Sequence, residues 1–171
     1  MIVRSRRIRY IRRVSEFTVR PALVSDAEEI QACLRTAFGN FLDSYTREAF
    51  RDTVPTVEDV RGRFHSMSLF VAEDRERKVI GTVAWYLKSP EEGYLRGMAV
   101  LPEWQGKGVA QQLLQTAEAD IRSHGCSRAA LDTTDPLERA IHFYEKQGYR
   151  RTGHIEDFFG MPLHEFVKKL K

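Results

Sequence analysis

The residues best equipped for chemistry stand at 105–110, Gln-Gly-Lys-Gly-Val-Ala, after an apolar run ending in Val100 and a Pro102 turn. An amphipathic stretch follows, so the order delivers a helix N-terminus, stripped of bulky side chains, to the end of a strand. The first amides of a helix have no partner within it, and its start carries roughly half a positive charge, which makes it a seat for phosphate. Gly106 and Gly108 let an anion approach the main chain, and Gln105 and Lys107 add donors at the rim. Two familiar phosphate loops do not fit. The GxxxxGK[ST] loop fails because Gly106-Lys107 is followed by Gly108, and the GxGxxG fingerprint fails because Gln111 stands where its third glycine belongs.

What does fit is Gln105-x-x-Gly108-x-Ala110, a Q/R-x-x-G-x-G/A signature, and with it the chain resembles the GNAT superfamily of N-acetyltransferases. Residues 131–153, LDTTDPLERAIHFYEKQGYRRTG, add a strand-helix-strand block with a family-like FYEKxGY segment, and the resemblance spans roughly residues 17–170. It implies an α/β (α+β mixed sheet) fold, the GNAT-like acyl-CoA N-acyltransferase fold. That fold has a central, mostly antiparallel splayed sheet flanked by helices, in the order β-α-α-β-β-β-α-β-α-β-β.

The same resemblance implies site residues. Gln105, Gly106, Lys107, Gly108, Val109 and Ala110 would cradle the pyrophosphate of acetyl-coenzyme A. Met98, Ala99 and Val100 would offer main chain to the pantetheine arm and to the oxyanion. Tyr144, in HFYEKQGY, would protonate the leaving sulfur, since a phenol with a pKa near 10 is protonated at neutral pH. A competing reading places Tyr144 in the core, on the helix face of Leu137 and Ile141, with Phe143 beside it, and treats the two glycines as turn formers. One position departs from the family pattern: Leu137 replaces an asparagine common three residues before the alanine of the last helix, so that its contact is either absent or supplied by another group such as Thr134 or Asp135. The general base stays open among Glu91, Glu92, Tyr94, His154 and Asp157. Acceptor selection is expected from the loops at 41–45 and 155–161.

The expected activity is transfer of an acetyl group from acetyl-CoA, as co-substrate, to a primary amine by direct attack in a ternary complex, with no metal. The alternatives are a different acyl donor on the same loop and a non-catalytic acyl-CoA-binding sensor. Expected partners are a small-molecule or peptide amine and, in the manner of the family, a second copy of the chain. Nucleic acid and membrane are not expected partners. Cys33 and Cys126 lack metal-site spacing and lie outside the motifs, which argues against a covalent acyl-enzyme.

These residues need a scaffold, and the periodicities supply one. FTVRPA at 17–22 alternates like a strand, and Ser25 with Glu28 reads as a capping box for a helix whose Ala27, Ile30, Leu34, Ala37 and Phe38 share a face. Residues 39–45 read as a loop, 46–52 and a Thr56-capped stretch as short helices, and 68–74, 78–88 and 92–100 as an antiparallel meander. Val109, Leu113, Leu114, Ala117 and Ile121 line the buried face of the next helix, which stops at His124-Gly125. Asp135 as N-cap with Pro136 at the first position predicts a helix over about 136–147, and a last strand falls near 163–170.

At 171 residues and 42% hydrophobic content the chain can bury a full core, and the expected organisation is a basic extension, 1–15, before one domain, 16–171. The net charge of +3 is unevenly placed. Arg4, Arg6, Arg7, Arg9, Arg12 and Arg13 leave 21 basic against 24 acidic residues in the remainder. The extension reads as a frayed segment, an added edge strand through Ile8, Tyr10 and Val14, or an arm for anionic surfaces. With no apolar run of membrane-spanning length and no signal-peptide pattern, the expected location is the cytoplasm.

Overall fold

The alternating FTVRP segment forms β1 (Phe17–Pro21), which pairs antiparallel with β2 (Ser68–Asp74) in a computed structural model that describes residues 16–171. The arginine-bearing extension, 1–15, lies outside the described residues. β2 and β3 (Val79–Ser89) are apolar almost without a break because both faces of the sheet are covered. On one face Leu69, Val71 and Ala84 pack with Ala27, Ile30 and Leu34 of α1 (Ala27–Phe38) and Val60 of α3 (Val57–Arg63). On the other, Phe70, Ile80, Val83 and Trp85 meet Leu113, Leu114 and Ile121 of α4 (Val109–Ser123). Each fully buried aliphatic side chain here contributes about 1.5–3 kcal/mol, so this double layer is what makes the sheet rigid enough to carry a site.

Four further strands complete one seven-stranded sheet in the order β1-β2-β3-β4-β5-β7-β6: β4 (Glu92–Val100), β5 (Arg128–Thr134), β6 (Arg150–Phe158) and β7 (Met161–Lys169). Every neighbouring pair is antiparallel except β4 with β5. A parallel pair requires a crossover, and α4 supplies it. The β4–β5 register runs from Glu92↔Arg128 to Leu95↔Leu131, and beyond Leu95 β4 keeps a strand partner on its β3 side alone. A register shift on β4 lies between Arg96 and Ala99, where Gly97 has φ +61°. The sheet therefore opens between its two middle strands, as the resemblance implies.

Three α-helices separate β1 from β2, matching the helix and two short helices read from the periodicities and one more than the order the resemblance implies, because α2 (Arg47–Thr53) and α3 carry separate caps. Thr46 Oγ1 accepts from the Ala49 amide, and Thr56 and Asp59 form a reciprocal box. Residues Gly39–Ser44 wind as a 3₁₀ turn rather than an open loop. The Ser25–Glu28 box does not form. Asp26 takes over that entry, accepting from the Leu23 amide at 2.7 Å and from Arg20, whose guanidinium also reaches Glu73 at 2.7 Å and so ties β1 to β2 and to the start of α1. α5 (Glu138–Lys146) likewise begins two residues after the expected Pro136. Asp135 is not its N-cap, because the carboxylate lies 2.9 Å from His164 Nε2 on β7, while the Leu137 amide closes a turn onto Thr134 O. Among the described residues no helix is long and apolar enough to cross a membrane.

Candidate active site

The opening between β4 and β5 forms a cleft of about 980 Å³. One wall is β4 from Leu95 to Val100 with the first turn of α4, and the other is the end of β5 with Leu137, Phe143 and Tyr144 around α5. Main chain on the β4 wall faces the cleft without a strand beside it, so an extended ligand can pair there as an added strand would. Met98, Ala99 and Val100 all lie on this wall.

At the head of that wall the chain turns into α4 with Gly108 as N-cap at φ +86° and Gly106 at φ +75°. A Cβ on either glycine would meet nothing within 4 Å, so backbone conformation, and not space, calls for glycine here. The first helical bond runs from the Gln112 amide to Gly108 O at 3.1 Å. Among the described residues, no protein acceptor takes up the amides from Gly106 to Gln111. Gly106, Gly108, Val109, Ala110 and Gln111 line the cleft. A row of free amides at a helix N-terminus is a site for a multiply charged anion. The side chains beside them do less than the sequence suggests. Gln105 Nε2 donates to Val100 O at 3.1 Å, bracing the loop against the end of β4, and Lys107 Nζ rests 4.8 Å from the Trp104 ring centre.

Tyr144 is half-buried on α5, packed edge-on against Phe143 and Tyr149, and lines the cleft. Its hydroxyl has no hydrogen-bond partner among the described residues, whereas the fully buried Tyr149 donates to Glu118 Oε1 at 2.9 Å. Tyr149, not Tyr144, is the satisfied core tyrosine of this segment. Burial pushes the Tyr144 phenol above its ordinary range, so it stays protonated at neutral pH. Leu137 lines the cleft where the family's asparagine is expected. Of its stand-ins, Thr134 shares a 2.9 Å bond with the Tyr45 hydroxyl and Asp135 turns to His164. Thr133 Oγ1, on the same stretch, is buried and unpartnered among the described residues. Cys33 and Cys126 are buried and do not line the cleft, and burial pushes the Cys33 thiol up to about 12.

The acceptor half pairs Tyr94, a candidate from the sequence, with Asp132, which the sequence did not single out. The Tyr94 hydroxyl donates to Asp132 Oδ2, and Tyr86 stacks 5.1 Å from Tyr94. Burial raises the Asp132 pKa, with the Tyr94 hydrogen bond opposing that rise. Asp132 follows the last β4–β5 pair, so it sits where the strands part. The signal was present as an acid inside the apolar run RAALD. Of the other candidates for general base, Glu92 is consumed by Arg128 at 2.5 Å and Lys88 at 3.4 Å. His154 pairs with Glu156 on the exposed strand β6, Asp157 accepts from the Gly160 amide, and Glu91, His154 and Asp157 are not among the lining residues. Phe41, Tyr45 and Phe158 do reach the cleft, whereas Ile155 and Phe159 face away and are exposed.

Residues 28–149 match the acetyltransferase (GNAT) family. Among curated proteins, the chain is 32% identical over 103 residues to mycothiol acetyltransferase of Propionibacterium freudenreichii subsp. shermanii, covering 55% of this chain and 33% of that protein. The chain thus spans about a third of the length of this curated relative. Among solved structures, a GNAT-family acetyltransferase from Staphylococcus aureus Mu50 superposes with TM-score 0.74 at 17% identity, over 91% of this chain and 99% of the other. PaiA N-acetyltransferase from Thermoplasma acidophilum, solved with coenzyme A, gives 0.74 at 18% identity over 91% and 100%.

Proposed function

Because this chain belongs to the acetyltransferase (GNAT) family, we propose that it transfers an acetyl group from acetyl-CoA to an amine by direct attack in a ternary complex. The observation that carries this reading is the run of unpaired amides from Gly106 to Gln111 at the mouth of a cleft whose β4 wall lacks a strand partner. The residues present suit coenzyme A: free amides and a helix N-terminus for its diphosphate, and exposed strand backbone for its amide-bearing arm. Bound there, the thioester supplies an activated acetyl group and a thiol leaving group.

The chain's own groups then divide the proton work. Main chain at Met98, Ala99 and Val100 lies where amides can meet the carbonyl oxygen as it gains charge. Asp132 accepts the proton of the ammonium, directly or through one water, and Tyr94 holds that carboxylate in place. As the N–C bond forms and the C–S bond breaks, Tyr144 gives its proton to the departing sulfur and the nitrogen sheds its second proton to water. Tyr144 regains a proton from solvent, so that one proton is released in all once Asp132 has also given up its own. Both cysteines are buried and neither lines the cleft, so the reaction proceeds without a cysteine acyl-enzyme. Residues 16–171 act as one catalytic domain in this reading.

The test is thiol release from acetyl-CoA in the presence of a panel of amino acids, dipeptides, aminoglycosides and polyamines. The expected result is amine-dependent release with matching N-acetylated product. Tight coenzyme A binding with no release on any amine would make the chain a sensor of the cofactor rather than a transferase.

A further inference from the structure

Arg63, the last residue of α3, lines the acceptor half of the cleft, where its Nη1 would stand 3.3 Å from a Cβ placed on Gly97 at the β4 bulge. Its guanidinium makes no hydrogen bond or ion pair among the described residues. Beside it, Arg96 Nη2 donates to Asp52 Oδ2 at 3.0 Å. Asp52 is the carboxylate that lines the cleft beside these two guanidinium groups, and Asp59 on α3 attracts Arg63 without bonding to it, so Arg63 has no direct partner among the described residues inside a cleft walled by Ala37, Phe38 and Phe41. Burial and the neighbouring Arg96 bring the Arg63 pKa down to about 10, so it is still charged at neutral pH. A partly desolvated cation with no partner is costly unless something anionic completes it.

The opposite sign lies nearby on the same strand. Tyr94 and Arg96 are two residues apart on β4, so their side chains leave the same face about 7 Å from one another. Tyr94 carries Asp132, and Arg96 stands beside Arg63. The acceptor half thus presents an acid at one end and, at the other, a guanidinium with no direct partner among the described residues. We infer that the acceptor is an amine that also bears a carboxylate, its ammonium facing Asp132 and its carboxylate held by Arg63 with Arg96. A guanidinium fork matches a carboxylate in two parallel hydrogen bonds, and with Asp52 and Asp59 already acting on Arg63 a singly charged anion is accommodated better than a phosphate. A polyamine would place a second ammonium against Arg63 and be repelled. The inference rests on the acetyl-transfer reading above.

Free amino acids and dipeptides should be compared with their carboxamides and with O-phosphoethanolamine, as kcat/KM for thiol release from acetyl-CoA. Carboxylates should exceed their amides by at least about tenfold, the scale of one charge-assisted contact. Arg63→Gln should bring that ratio close to one. Asp52→Asn, which leaves Arg96 without its internal partner, should raise it. Equal use of amides, or a preference for phosphorylated amines or polyamines, would overturn the inference while leaving acetyl transfer intact. A second measurement does not depend on turnover: calorimetry of the coenzyme A-loaded protein with N-acetyl amino acids and with their amides. Binding of the acids alone, lost in Arg63→Gln, with no thiol released from any amine, would uphold the anion site and refute the transfer reading. Neither binding nor release would refute both.

Discussion

Replacing Tyr144 with phenylalanine should slow acetyl transfer by about 10²–10³-fold, the range for losing a positioned general acid, while affinity for acetyl-CoA stays within about twofold. The hydroxyl lines the cleft and has no partner among the described residues, so its removal leaves no buried group unsatisfied and should cost little stability. The ring, which packs on Phe143 and Tyr149, is retained. Burial also raises the phenol's pKa, so the wild-type rate should not fall on the alkaline side through loss of this proton below about pH 10. Single-turnover kinetics of the variant with saturating acetyl-CoA would check this. An unchanged chemical step would make the hydroxyl a packing feature.

Asp132→Asn is expected to lower the rate by about 10²-fold at neutral pH and to remove the acid limb of the pH–rate profile. The sign follows from the environment. Burial raises the Asp132 pKa above the usual carboxylate range, so the wild-type enzyme should lose activity on acidification as that carboxylate takes up a proton. The Tyr94 hydroxyl stabilises the charged form. Tyr94→Phe should therefore move the acid limb to higher pH while retaining much of the maximal rate. An acid limb that stays in place in Asp132→Asn would assign the base to another group.

The scaffold was legible where one residue pattern had one structural solution. Val109, Leu113, Leu114, Ala117 and Ile121 could only form one face of a helix, and they are the buried face of α4. The continuous apolar runs of β2 and β3 announced strands covered on both sides. Helix starts were harder, because the capping patterns at Ser25 and Asp135 lost to other partners. Asp26, next to Ser25, takes the entry to α1 through the Leu23 amide and Arg20, both close in sequence, and Glu73 on β2 holds that arginine from afar. Asp135 instead lies 2.9 Å from His164 on β7, which no short window around it contains.

The same division runs through the site. The loop proposed to hold the cofactor is local, six consecutive residues at a strand-helix junction, so it can be read from the chain alone. Even there the split between backbone and side chain needed coordinates: Gln105 turns inward to Val100 O, and the free donors are main-chain amides. The acceptor half is assembled from α2, α3, β4 and β5, bringing Asp52, Arg63, Arg96 and Asp132 together from segments up to 80 residues apart. Glu92 was a candidate from its position at the start of β4 and Asp132 was not, but Arg128 and Lys88 consume Glu92.

The central claim is that backbone amides at the start of α4 grip the diphosphate of coenzyme A, and amide chemical shifts report on it directly. Titrating ¹⁵N-labelled protein with coenzyme A should move the resonances from Gly106 to Gln111 far more than the rest of the chain, while pantetheine, which lacks the diphosphate, should leave them in place. Equal responses to the two ligands, or none at those amides with coenzyme A bound, would contradict the account.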